Sequence, residues 1–271
     1  MSVNFDLTGK TAVITGGAGI LCSVMAKELA KKGVRVAILG HSGDKAQAIA
    51  DEIKNDGGRA IACNADVLSL DSLKKAREYV VDKYGTVDIL INGAGGNKKE
   101  ATTSEENSFF NIDIEALKWV FDLNMMGAVL TTQVFGELFL ETGKGCVINI
   151  SSMAAYHPLT KTIAYSGAKA AVANFTQWMA VHFNQNYSKN IRVNAVAPGF
   201  LLTNQNRFLM TDEDGNPTER GRKVLDKTPM GRYGEPEEIA GSVLWLCSDA
   251  ASFVNGAIIP VDGGFSAYWG V

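Results

Sequence analysis

Residues Thr11–Leu39 read TAVITGGAGILCSVMAKELAKKGVRVAIL. Thr11–Thr15 is short, apolar and rich in β-branched residues, which suits a buried strand. Ile20–Lys32 carries helical spacing and stops at Gly33, a residue that tolerates the left-handed backbone at a helix end. Val34–Leu39 is a second apolar strand. A strand, a glycine turn, a helix and a second strand make a βαβ unit, which implies parallel pairing.

The same alternation continues outward. Helices are predicted at Lys45–Asp56, Ser69–Tyr84, residues 114–140 with breaks near Gly127 and Gly136, Tyr165–Phe183 and Pro236–Leu246. Strands are predicted at Ala60–Cys63, Val87–Ile91, Cys146–Ile150, Ile191–Ala197 and Ala257–Val261. Strands this apolar are covered on both faces. Right-handed crossovers then restrict the chain to one α/β architecture: a doubly wound, parallel, seven-stranded sheet with helices on both faces. No repeat or linker interrupts it, so residues 1–271 read as a single domain. Two polar stretches, 95–111 (GGNKKEATTSEENSFFN) and 200–227, exceed ordinary connections and are expected to be substrate loops.

Composition narrows the function. Of the 271 residues, 46% are hydrophobic and 20% charged, which excludes a disordered or fibrous chain. The charge balance of 26 − 29 = −3 gives no electrostatic reason to expect nucleic acid or an anionic membrane as partner. Cys22, Cys63, Cys146 and Cys247 form no C-x-x-C pair and sit beside apolar runs, which favours buried thiols in a reducing cytosol over a disulfide framework or zinc site. No uninterrupted apolar run reaches the ~18–20 residues of a membrane span. The start, MSVNFDLTGKTAVITGG, lacks the pattern of a signal peptide, so a cytoplasmic location is expected.

The turn Thr15–Cys22 (TGGAGILC) lies between the first strand and its helix. Glycines there let backbone N–H groups approach a pyrophosphate at the helix N-terminus. A tight turn without ligand has the same composition. The second strand ends in Leu39-Gly40-His41-Ser42, without the acidic residue that would hold an adenine ribose diol, and Asp44 comes too late for it. Gly40 removes bulk, and His41, Ser42 and Lys45 can face a 2′-phosphate. This slightly favours NADP(H) over NAD(H), although loop polarity explains the same residues.

Tyr165 and Lys169 are spaced i, i+4 on one helix, with Ser152 upstream at the end of the fifth strand. Tyrosine titrates near pH 10 and is a poor base at neutrality. A neighbouring cation favours the phenolate, and a shift of ~3 units requires about 4 kcal/mol.

In this context the chain resembles the short-chain dehydrogenase/reductase family over nearly its whole length. Ser152 precedes Tyr165 by 13 residues, as the family's catalytic serine does. Asn92-Gly93-Ala94-Gly95 resembles its Asn-Asn-Ala-Gly motif, Asp66 with Val67 its adenine-contacting acid, and Asn124 its relay asparagine. Pro198-Gly199-Phe200-Leu201-Leu202-Thr203 resembles its Pro-Gly-x-x-x-Thr element beside the nicotinamide. Arg232 and Val261-Asp262-Gly263-Gly264 match its last motifs. The resemblance implies a Rossmann-type fold and carbonyl/alcohol oxidoreduction. In that chemistry Ser152 binds the substrate oxygen and Tyr165 exchanges its proton. Lys169 lowers the tyrosine pKa and holds the nicotinamide ribose, and Asn124 orders a water. It also implies a cofactor site built from Thr15, Gly16, Gly17, Gly19, Ile20, Leu21, Gly40, His41, Ser42, Asp66, Val67, Asn92–Gly95, Tyr165, Lys169, Pro198–Phe200 and Thr203. One departure stands out. The family pattern is Thr-Gly-x-x-x-Gly-x-Gly; a gapless alignment puts Ile20 and Cys22 where its second and third glycines belong, and a one-residue gap aligns Gly19 with the second but puts Leu21 at the third, so either way the phosphate turn is expected to be reshaped around Gly16, Gly17 and Gly19.

GILCSVMAKEL, GAGGN and NQNRFLM further resemble the D-mannonate oxidoreductase (fructuronate reductase) branch. That implies a sugar acid, D-fructuronate or D-mannonate, as substrate. A hexuronate needs a cation for its carboxylate and amides for its hydroxyls. Arg207, Asn97, Gln205 and His157 are the candidates, with Asn204, Asn206 and Lys98-Lys99 as further polar groups. A ketogluconate, polyol, 3-oxoacyl or steroid reductase, or a non-catalytic dinucleotide-binding protein, are the alternatives. Family members usually pair into dimers and tetramers through their long helices, so a homodimer or homotetramer is expected.

Overall fold

The computed structural model describes residues 3–203 and 207–270. Seven parallel strands form one sheet, ordered β3-β2-β1-β4-β5-β6-β7. They are β1 (Thr11–Thr15), β2 (Arg35–Gly40), β3 (Arg59–Asn64), β4 (Ile89–Asn92), β5 (Gly145–Ile150), β6 (Ile191–Pro198) and β7 (Ile258–Val261). The order reverses between β1 and β4, and such a switch opens a crevice at the carboxyl ends of the strands.

Helices cover both faces. On one lie α1 (Ile20–Lys31), α2 (Gly43–Asn55) and α10 (Glu237–Cys247), whose Met25, Leu29, Ile53, Val243 and Leu246 pack on Ile14, Ile38 and Ile148. On the other lie α3 (Leu70–Tyr84), α5 (Gly127–Gly136), α6 (Leu138–Thr142) and α7 (Ile163–Asn186), whose Leu73, Val80, Phe135, Phe139 and Phe183 pack on Val13, Leu90 and Val147. Inward and outward side chains of one strand thus feed two separate cores, the direct result of continuous apolar runs with a period of two. Gly33 ends α1 at φ +78°, its N–H bonded to Ala30 and that of Val34 to Leu29. All four cysteines are buried and free.

The predicted long helix is one helical run of 29 residues, Ile114–Thr142. It comprises α4 (Ile114–Phe121), a π-helical turn at Asp122–Met126, then α5 and α6. Gly127 does not break it; a Cβ there would lie 2.9 Å from Val67 Cγ2, so glycine serves close packing. By length and composition this run could cross a bilayer, which counting uninterrupted apolar residues does not reveal. In the fold, 56% of its most apolar window is buried.

The stretch 200–227 is not simply a loop. It contains α8 (Arg207–Met210) and α9 (Glu219–Asp226), joined by a bridge between Thr211 and Pro217. Thr218 caps α9, its hydroxyl accepting from Gly221 N–H at 3.0 Å. Segment 95–111 holds two short 3-10 turns and is tied to the loop after β5 by Thr103 N–H donating to Lys161 O at 3.0 Å.

Candidate active site

At the carboxyl end of β1 the chain turns through Gly16 (φ +61°) and enters α1 with Gly19 as its uncapped N-terminal flank. The first N–H groups of a helix have no partner in the helix, which leaves those of Ile20 and Leu21 for an anion. A Cβ on Gly16 would lie 2.8 Å from both Ala94 Cα and Gly93 O, so the turn and the β4 loop are pressed together. Thr15 does this stitching: its hydroxyl accepts from Gly93 N–H (3.1 Å) and Ala94 N–H (3.2 Å). That hydroxyl is buried, so Thr15 shapes the turn rather than presenting a donor to a ligand. Asn92 is likewise structural, bridging Thr132 (3.0 Å) and Asn149 (2.8 Å).

The departures in two motifs are a matched pair. In the gapless register Cys22 stands at a family glycine, and its Sγ would lie 2.2 Å from a Cβ on Gly93, the position where the family carries asparagine. Burial pushes the Cys22 thiol up to about 12, so it sits there neutral.

At the end of β2, a side chain on Gly40 would touch nothing within 4 Å, and His41 is exposed beside it. This is space for an adenosine ribose. Asp66 is exposed, with Oδ1 accepting from Leu68 N–H, and Val67 is buried against Gly127. Across the sheet, Pro198 ends β6 and Gly199 N–H donates to Val261 O at 3.0 Å. The residues present fit a dinucleotide: an open helix N-terminus, side-chain-free turns and room beyond β2.

The reacting groups converge from three elements. Ser152 follows β5, its hydroxyl accepting from Ala154 N–H at 3.1 Å. Tyr165 lies in the first turn of α7, where the Ser152 hydroxyl is near enough to favour its phenolate. Lys169, one turn on, is buried; its ammonium donates to Ile150 O at 2.8 Å and lies 5.5 Å from the Tyr165 ring centroid. Burial pulls Lys169 down to about 8. Burial also raises Tyr165, and the nearby Ser152 hydroxyl only partly opposes this. A raised phenol stays protonated and can donate.

Asn124 sits in the π turn, which rotates it inward to 2% exposure. Its Nδ2 donates to Gly96 O and Val120 O, both at 2.7 Å, while its buried Oδ1 has no partner. A Cβ on Gly95 would lie 2.6 Å from this Oδ1 and 3.3 Å from Lys169 Nζ. The two polar ends thus meet over a bare glycine, a setting for an ordered water.

The expected substrate residues that the structure describes, Asn97, His157 and Arg207, lie on three separate segments. Arg207 is exposed and forms no ion pair among the described residues. Asn97 is exposed and donates to Thr102 Oγ1 at 3.1 Å. His157 Nε2 lies 3.0 Å from Ser266 O, committed to the segment after β7. Gln205 and Asn204 lie outside the described residues. Lys98 stacks 4.2 Å from the Trp119 ring. A surface hollow of about 420 Å³ between Lys74, Arg77 and Leu138 is lined by none of these groups.

This fold and constellation define a nicotinamide-dependent oxidoreductase, and the chain belongs to the short-chain dehydrogenase/reductase family. A family model described as enoyl-(acyl carrier protein) reductase matches residues 18–266. Among individual relatives, the uncharacterized oxidoreductase UxuB of Bacillus subtilis is 50% identical, covering 98% of each chain. The 7alpha-hydroxysteroid dehydrogenase of Escherichia coli K12 is 34% identical, covering 97% of this chain and 96% of its own. A Haemophilus influenzae structure with bound NAD, provisionally assigned as a D-mannonate oxidoreductase, superimposes with a TM-score of 0.93 at 47% identity, covering 98% of both chains. The expected preference for NADP(H) finds no support in that relative.

Proposed function

We propose that the chain interconverts a ketone and a secondary alcohol on a sugar acid, D-fructuronate and D-mannonate being the pair that fits best. The observation that carries the chemistry is the convergence of Ser152, Tyr165 and Lys169, with the unpartnered Asn124 Oδ1 behind them. A bound nicotinamide supplies hydride chemistry to such a site. Ser152 holds the substrate oxygen, and Tyr165 delivers a proton to it as it becomes alkoxide. Lys169 and Tyr165 hold the nicotinamide ribose, and Asn124 fixes the water through which Lys169 draws protons. Ile20 and Leu21 N–H groups take the pyrophosphate, with Gly40, His41, Ser42 and Asp66 around the adenosine.

The sugar acid is supported by the H. influenzae relative's provisional assignment. It is also supported by Arg207, an exposed cation with no described carboxylate beside it. Segments 95–111 and 200–227 serve as the substrate loops. The bound NAD of that relative moves the cofactor reading from NADP toward NAD. A homodimer or homotetramer is supported by exposed Ile114, Trp119 and Phe121 on α4 and Trp178 and Val181 on α7.

The test is to mix the protein with NADH or NADPH and a panel of keto sugar acids, following absorbance. Turnover of fructuronate is expected, and Tyr165→Phe should lower it about 10²–10⁴-fold while cofactor binding persists. Turnover restricted to acyl or steroid ketones overturns the substrate reading, and an active Tyr165→Phe enzyme overturns the mechanism.

A further inference from the structure

The segment after β7 is held by three loops. Gly199, after β6, packs directly on it, since a Cβ there would lie 2.6 Å from Asp262 Cα. Asp262 shapes the turn, its carboxylate accepting from Gly264 N–H (2.9 Å) and Ser266 N–H (2.8 Å). Met230, after α9, donates its N–H to Gly263 O at 3.1 Å. The Phe265 ring lies 5.2 Å from Phe200. From the loop after β5, His157 reaches Ser266 O at 3.0 Å, and its ring meets Trp269 edge to face at 5.4 Å. A carbonyl only accepts, so Nε2 of His157 carries the proton of that bond.

His157 and Gly199 follow the carboxyl ends of β5 and β6, and the segment itself follows that of β7, the side on which ligands enter an open α/β sheet. His157 itself is five residues past Ser152 in the loop leading to Tyr165. Trp269 nevertheless remains 77% exposed, its ring steered by His157 rather than packed in a core.

We infer that Phe265–Trp269 is the specificity wall of the catalytic cleft, with Trp269 as the contact surface for the substrate's C–H face and His157 as the residue that positions it. This rests on the proposed placement of the substrate beside Ser152 and Tyr165. An indole offers a broad apolar face with a polar edge, suited to an extended hydroxylated chain. His157 acts through the wall and is a positioning residue.

The experiment compares Trp269→Ala, Trp269→Phe, His157→Leu and His157→Gln with the native enzyme on keto sugar acids and a 7-oxo steroid. It records kcat, KM, cofactor Kd, melting temperature and sedimentation. For Trp269→Ala and His157→Leu we expect KM for the preferred substrate to rise about tenfold with kcat within a factor of two and cofactor Kd unchanged. Trp269→Phe and His157→Gln, which keep a ring and a donor, should recover most of the loss. An unchanged KM in Trp269→Ala overturns the inference, as does a change in oligomeric state alone. So does a parallel loss of kcat, cofactor binding and melting temperature. If the native enzyme turns over the steroid but no sugar acid, the proposed substrate falls while the wall is still judged on the steroid's KM. Absence of turnover on the whole panel overturns both.

Discussion

The sulfur of Cys22 occupies the space that a β-carbon on Gly93 would need; the two would be 2.2 Å apart. Gly93→Ala should therefore destabilise the protein by about 1–3 kcal/mol, the usual cost of overpacking a rigid site. Cys22→Gly in the same chain should recover part of it. Recovery is incomplete because the new Cβ would also lie 2.9 Å from Thr15 O. Urea denaturation of the two single variants and the double variant gives the coupling energy. Strict additivity would show that the pairing has no energetic content.

Gly95→Ala places a methyl group 2.6 Å from Asn124 Oδ1 and close to Lys169 Nζ. It should fold, because the strain falls on side chains and a water position rather than on the sheet. Its kcat should fall at least tenfold, the scale of lost proton transfer. Asn124→Ala should lose activity as well as about 1–3 kcal/mol of stability, since it strips partners from the Gly96 and Val120 carbonyls. Steady-state kinetics beside thermal melts separates the two effects.

Lys169 gives a pH signature. Its folded value is about 8, below the ordinary 10.5. Between those values the unfolded chain holds a proton that the folded chain has released, so stability rises with pH across that window. The contribution is fully present above about 10.5 and is lost as pH falls through about 8. Its size is on the order of 3 kcal/mol. The difference between the native protein and Lys169→Met, measured by urea unfolding from pH 7 to 10.5, should isolate it, because other titrating groups cancel. The kcat/KM for ketone reduction should fall above about pH 8 as the cation is lost.

Gly40 ends β2 with open space beyond it. Gly40→Asp should fold normally and repel a 2′-phosphate, raising KM for NADPH more than tenfold while KM for NADH changes little. Equal effects on the two cofactors would place the adenosine elsewhere.

The sheet was legible because each strand is a short apolar run bounded by glycine or polar turns; Thr11–Thr15 matches β1 to the residue. That Tyr165 and Lys169 share a helix was legible from their spacing, and the structure places both on α7. The π turn at Asp122–Met126 was not, because it lies within an unbroken apolar run whose period it hardly disturbs. Nor was α9, short and highly charged, whose inward face is only Gly221 and Val224. The departures at Cys22 and Gly93 were both visible, but their pairing depends on a contact between distant segments. The contact of His157 with Ser266 was not legible for the same reason: the two lie 109 residues apart.

The bare α-carbon of Gly95 would make the proposed proton route vulnerable in an unusual direction. Most conduits fail when a group is deleted; this one also fails when a group is added, even a single methyl. Its upkeep falls on a residue that exchanges no proton and contributes no polar side chain. Variants there would leave every acid, base and hydroxyl intact and still be slow. A survey of the polar residues alone would pass such an enzyme as complete.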